Sequence, residues 1–253
     1  MSVFKALLLD LDNTLFLFNE DTFLVSYAQL AAPYFTDIVD ESTFFQKLLD
    51  STMHMLRNDG SQTNVEAFTH HFIADLPALS YEECYNRFDR FYQEAFGKLG
   101  NIVQKVASGR RVVERAVRAG VQVAIATNPI FPDAATRYRL EWAGIADLPV
   151  ALVTHAENMR YCKPHPGYFR TVLETLGRKA KDCLMVGNDP ISDMSAAAVG
   201  IKTFLVELEA EKGRLGIISK QVGQQARQVA SKARFRIDWR GSLQDAERVL
   251  LGS

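Results

Sequence analysis

The chain opens with a short apolar run over residues 4–9 that stops at Asp10, and a second carboxylate, Asp12, follows on the alternate position. The hydroxyl of Thr14 comes two residues later. A brief apolar run of this kind is the pattern of a strand buried on both faces of a sheet. Residues at i and i+2 of a strand point to one side. Asp10 and Asp12 are therefore expected together at the carboxyl end of a buried strand, where open α/β sheets bind ligands. Two like charges side by side destabilise a fold unless a cation or a substrate holds them.

The rest of the chain divides by texture. Its 253 residues, 47% of them hydrophobic, suffice for one large domain or two unequal ones. Residues 17–100 carry 5 Lys/Arg against 13 Asp/Glu, whereas the remainder carries 24 against 17, which separates an acidic unit from a mildly basic one. The acidic stretch has helical periodicity, with helices expected at 21–34, 41–56, 65–75 and 81–96. Asn64 is the expected cap of the third, and Ser80 with Glu83 a capping box for the fourth. Beyond Gly100, strands expected at 121–126, 150–153, 183–186 and 201–206 alternate with helices at 110–118, 132–142, 165–176 and 191–199. That alternation predicts a parallel sheet with helices on both faces. A last strand at 235–239 and a last helix at 243–250 close the chain. Residues 207–233 are polar and glutamine-rich, and the pattern leaves open whether they form an exposed helix. The expected domains are thus an α/β core from 1–16 and 101–253 and a helical insert from 17–100.

Composition narrows the setting. A net charge of −1 gives no overall attraction to nucleic acid or to an anionic membrane. Three cysteines without metal-ligand spacing suit a reducing compartment rather than a disulfide framework. The first apolar run is too short for a membrane span or a signal peptide. A cytoplasmic protein is expected, acting on a small soluble molecule, with monomer and homodimer both left open.

Three further segments deliver polar groups at strand ends. Thr127 and Asn128 follow an apolar strand, and a hydroxyl with backbone N–H groups there can bind phosphate oxygens, although Thr127-Asn128-Pro129 also reads as a turn. Lys163 is stiffened by Pro164 and Pro166 just before a helix, a setting for a fixed ammonium. Asn188, Asp189 and Asp193 follow Gly187, and Asp189 with Pro190 equally suits a helix start. A carboxylate at a strand end can attack phosphorus covalently, and a second carboxylate nearby can protonate the leaving alkoxide. Mg2+ suits such an all-oxygen site.

The four segments, in this order, resemble the haloacid dehalogenase superfamily of phosphohydrolases. The resemblance covers residues 1–16 and about 100–206. It implies a Rossmann-like parallel sheet with an inserted all-helical cap domain, a Mg2+ cofactor and hydrolysis of a phosphomonoester of a small metabolite. By the same resemblance, Asp10 is the nucleophile and a metal ligand, and Asp12 is acid and base and lends its carbonyl to the metal. Thr127 and Asn128 hold the phosphate, and Lys163 neutralises charge. Asp189 is expected as the last metal ligand in preference to Asn188, with Thr14, Asn188 and Asp193 supporting. A phosphomutase shares all four segments. A haloacid dehalogenase is disfavoured by Asp12, and an idle binding protein by the presence of the whole set. The histidines His54, His70 and His71 lack metal-ligand spacing, and the helical aromatics read as core.

Overall fold

The computed structural model describes residues 3–207 and 235–252. In chain order its elements begin with β1 (Ala6–Leu9), β2 (Phe16–Leu17), α1 (Glu20–Ala31), α2 (Glu41–Leu56), α3 (Asn64–Ile73) and α4 (Tyr81–Glu94). There follow β3 (Gln104–Lys105), α5 (Ala107–Arg118), β4 (Gln122–Ile125), α6 (Asp133–Ala143), β5 (Leu152–Val153) and α7 (Pro166–Leu176). The last are β6 (Cys183–Gly187), β7 (Lys202–Val206), β8 (Trp239–Gly241) and α8 (Leu243–Leu251). Among the described residues, no helix is long and apolar enough to cross a membrane.

Six strands form one parallel sheet in the order β5-β4-β1-β6-β7-β8. β1 is central and wholly buried. Its side chains part by parity, as the pleat requires. Leu7 and Leu9 join Val113, Ile125 and Leu250 on one face, and Ala6 and Leu8 join Tyr168, Phe169 and Met185 on the other. Thus α5 and α8 cover one side and α7 the other, the two-sided covering that a parallel sheet needs. The chain runs outward from β1 through β4 to β5, then returns to build β6, β7 and β8 on the opposite side. The reversal opens a crevice at the carboxyl ends of β1, β4 and β6.

Between β1 and β4 lies the all-helical insert. Phe35, Phe44, Phe72, Phe88 and Phe91 pack into its own apolar cluster, which extends through Phe96 to Phe131 and Trp142 beside the sheet. The two chain passages joining insert and core lie side by side, because β2 and β3 pair antiparallel, Phe16 with Lys105 and Leu17 with Gln104. Two-residue strands carry no periodicity, so this ribbon was not expected.

Several local expectations need correction. Thr63, not Asn64, caps α3, with Glu66 completing a capping box. Asn64 is instead wholly buried against the core, where its amide donates to the Pro129 carbonyl at 3.3 Å. Only half of the box at Ser80 forms, since the Glu83 carboxylate turns to Arg87 at 2.8 Å. Residues 194–199 wind as a 3-10 helix rather than an α-helix, behind a first turn held by Asp193, whose carboxylate accepts the Asp189 N–H at 3.0 Å. The last strand starts at Trp239, not 235, because the Asp238 carboxylate takes the Thr203 N–H at 3.1 Å in place of a ladder carbonyl. Nearly all of the 207–233 segment lies outside the described residues.

Candidate active site

Each inner strand hands its last residues to one point. Beyond β1 the ladder continues one residue, with the Asp10 N–H on the Val186 carbonyl at 2.9 Å. Asn13 then adopts a left-handed conformation, φ 52°, which asparagine tolerates better than most residues. Its side-chain oxygen accepts the Phe18 N–H at 3.0 Å. The turn brings the Thr14 hydroxyl back to Asp10 Oδ2 at 3.2 Å and to Asn188 Oδ1 at 3.1 Å.

Beyond β4, the Thr127 carbonyl is fixed by the hydroxyls of Thr154 and Tyr168, at 2.7 and 2.9 Å. The Asn128 side-chain oxygen accepts the Lys163 N–H at 3.1 Å. Lys163 is 3% exposed and directs its ammonium to Asp10 Oδ1 at 3.0 Å and Asp193 Oδ1 at 2.6 Å. A buried charge survives only when paired in this way. Burial opposes the lysine charge, yet Asp10 and Asp193 together raise its pKa above the ordinary value. For Asp193, burial and then the neighbouring Asp10 raise the pKa against the pull of Lys163. Gly187 ends β6 because the Asp193 carboxylate occupies the place a side chain would need.

Asp12 has a partner that the sequence reading missed. The guanidinium of Arg139 pairs with Asp12 through Nη2 to Oδ2 and through Nε to Oδ1 at 3.2 Å. The same Nη2 donates to the Thr127 hydroxyl at 2.7 Å. Arg139 is 1% exposed and lies over the Phe131 ring, 4.8 Å from its centroid. Burial raises the Asp12 pKa, Arg139 pulls it down and Asp10 pushes it up again, leaving it above the ordinary carboxylate value. A signal for Arg139 was present: Ala135, Arg139 and Ala143 form the buried stripe of α6, and an arginine on such a stripe needs a buried partner.

Of the nine expected residues, seven line one cavity, and Thr14 and Thr127 bond to Asp10 and Asp12 behind it. Asp189 Oδ1 is engaged by the N–H groups of Ile191 and Ser192 at 2.7 and 2.8 Å. Asn188 presents the side-chain oxygen that shares Thr14 with Asp10. Among the described residues, no three His, Cys, Asp or Glu side chains form a metal cage. The donor set nevertheless suits Mg2+, which binds through one or two carboxylates and keeps waters and phosphate oxygens for the rest. Among the described residues, Asp10, Asp12, Asp189 and Asp193 meet two cations, Lys163 and Arg139, an excess of negative charge that a divalent cation offsets.

A cavity of about 330 Å3 runs from Asp10 and Lys163 into the insert. Phe68, Tyr85, Phe88 and Tyr92 of the insert line it, and Phe68, Phe88 and Tyr92 also belong to the insert's apolar cluster, so these three are both core and wall. The histidines do not reach it, nor does the 57–63 turn. His71 and His54 stack on each other at 4.5 Å.

A strand-end aspartate pair with a buried lysine, at the switch point of a parallel sheet and under a helical insert, defines a class of hydrolase. Residues 4–200 match the model of the haloacid dehalogenase-like hydrolases, and the chain belongs to that family. Among curated proteins it is similar to a phosphoglycolate phosphatase of Rhodospirillum rubrum, 34% identical over 82 residues. That match spans 32% of this chain and about a third, 33%, of the relative. Among solved structures, a phosphatase of this family from Thermococcus onnurineus superposes with TM-score 0.57 at 19% identity, covering 98% of this chain and 99% of the other. An L-2-haloacid dehalogenase from Xanthobacter autotrophicus superposes with TM-score 0.53 at 17% identity, covering 98% and 99%. The fold is common to both chemistries, so the reaction has to be argued from the site.

Proposed function

We propose that this protein is a Mg2+-dependent phosphomonoesterase that works through an aspartyl-phosphate on Asp10. In this reading 17–100 form the cap, and 1–16 with 101–253 the catalytic core. The observation that carries it is the second carboxylate: Asp12 stands beside Asp10, with an arginine and a threonine hydroxyl holding it. Displacement of halide needs no acid, whereas departure of an alkoxide does.

A carboxylate oxygen of Asp10 attacks phosphorus, the bond to the leaving oxygen breaks, and protonated Asp12 supplies the proton to the departing alkoxide. Asp12, now ionised, takes a proton from the water that attacks the aspartyl-phosphate, and inorganic phosphate leaves. Lys163 offsets charge between Asp10 and the phosphoryl oxygens, and Asn128 on the cavity wall binds them. The Thr127 hydroxyl, expected from sequence in that role, is wholly buried and donates to Asp12 instead. The Asp10 carboxylate, the Asp12 carbonyl and the Asn188 side-chain oxygen would hold Mg2+, in place of the Asp189 expected from sequence. Bound there, the ion would supply positive charge against nucleophile and phosphate. Arg139 is a positioning residue, holding Asp12 beside the reaction centre.

The test is hydrolysis of p-nitrophenyl phosphate with and without Mg2+, by the native chain and by Asp10→Asn. Loss of turnover in the variant and on chelation is the expected result. Turnover that survives Asp10→Asn overturns the covalent route.

A further inference from the structure

We infer that the phosphomonoester taken by this site carries an uncharged, apolar leaving group, an inference that rests on the phosphatase reading above and gives its substrate class. The phosphate end of the cavity is crowded with charge, but the far end is not. Its walls there are Leu24, Leu49, Met55, Val65, Phe68 and Phe88. Several of the polar groups beside them are already engaged. The Tyr27 and Tyr92 hydroxyls bond to each other at 2.7 Å, and the Thr52 hydroxyl donates to the Leu48 carbonyl at 2.7 Å. Asp89 accepts the Gln93 amide at 2.6 Å.

Charge points the same way. Among the described residues, Lys163 is the one cation on the cavity lining, and it is held between Asp10 and Asp193. Asp12, Glu20, Asp89 and Asp189 also line the cavity. Of the five cations of the insert, Lys47 is turned to Asp75, Arg87 to Asp37 and Glu83, and Arg90 to Glu94, while Arg57 and Lys98 are not on the cavity lining. A second anionic group on the substrate would lose its water here and meet like charge without a partner. An apolar group would instead release water from an apolar wall.

Volume sets the size. A cavity of roughly 150 Å3 holds a benzene molecule. A cavity of about 330 Å3 thus takes the phosphate and one ring, or an alkyl chain of similar bulk.

The experiment uses the full chain with Mg2+ and measures two things. The first is calorimetric binding of n-alkylphosphonates from methyl to hexyl, with phosphonoacetate as the acidic comparison. The second is kcat/KM for the n-alkyl phosphates, whose leaving groups are of nearly equal basicity, and for 2-phosphoglycolate. Affinity is expected to rise about fourfold per added methylene until the wall is filled. Propylphosphonate should bind at least about tenfold more tightly than phosphonoacetate, for want of a cation on the wall. Leu49→Ala should flatten the chain-length dependence, and Thr52→Lys should shift preference toward the acidic ligand. Binding that ignores chain length, or favours phosphonoacetate, overturns the inference. Chain-length-dependent binding without turnover of any phosphate ester supports the inference and overturns the phosphatase reading instead.

Discussion

At the scale of single residues, Arg139 and Asp12 are the pair whose energetics matter most. Arg139 is buried while the Asp12 side chain is 27% exposed to the cavity, so removing the arginine leaves a carboxylate short of its partner and a void behind it. Arg139→Met should destabilise the protein by about 3 kcal/mol, measured as a shift of the urea midpoint. It should also lower kcat at least about tenfold by releasing Asp12. Adding Asp12→Asn should recover at least about 1 kcal/mol of stability, because the two side chains are in contact and their effects do not add. This pair also marks where the sequence stops being informative. Asp10, Asp12 and Thr14 are legible because an apolar strand ends on them. Arg139 sits in the middle of a helix between ordinary neighbours, and its partner is more than a hundred residues away.

Among the elements, α3 shows how the insert is fastened. The N–H groups of Asn64 and Val65 donate to the core carbonyls of Met159 and Ala156, at 2.9 and 3.1 Å, and the Asn64 side chain bonds to Pro129 and Cys162 while accepting from Asn58. Asn64→Ala should destabilise this contact by about 2 kcal/mol, since buried partners are left unmatched. Faster amide hydrogen exchange at residues 64 and 65 checks it. The β-α alternation after Gly100 was readable, as was α2. The register of β8 was not, because side chains of Thr203 and Asp238 intercept the ladder groups, a long-range event that local pattern does not encode. The ribbon of β2 and β3 escaped for a simpler reason, having too few residues to make a pattern.

Across the whole molecule, buried acids set the response to alkali. Burial pushes the Cys84 and Cys162 thiols up to about 12 and Cys183 up to about 11, and it raises the Tyr27 and Tyr168 hydroxyls as well. Their folded pKa values exceed the unfolded ones, so the native state holds more protons above about pH 9, and stability falls as pH rises from there toward 12. Urea midpoints at pH 8, 9 and 10 should decline in that order, and a disulfide thiol reagent at pH 8 should label no cysteine until the chain unfolds. Divalent cation should act in the opposite sense. If Mg2+ binds where the carboxylates outnumber the cations, saturating it at about a hundred times its Kd should add about 2.7 kcal/mol to stability. Thermal melts with and without the ion read this directly, and Asn188→Leu should remove most of the gain. The sheet order has one more consequence, for synthesis on the ribosome. β1 is made before both of its neighbours, β4 and β6, which come from beyond the insert. The four insert helices are complete by residue 94, before either neighbour has been translated. A chain that folds as it emerges therefore assembles the insert around an unpaired first strand. Asp10 and Asp12 leave the ribosome well before the partners that hold them, Lys163, Arg139 and Asp193.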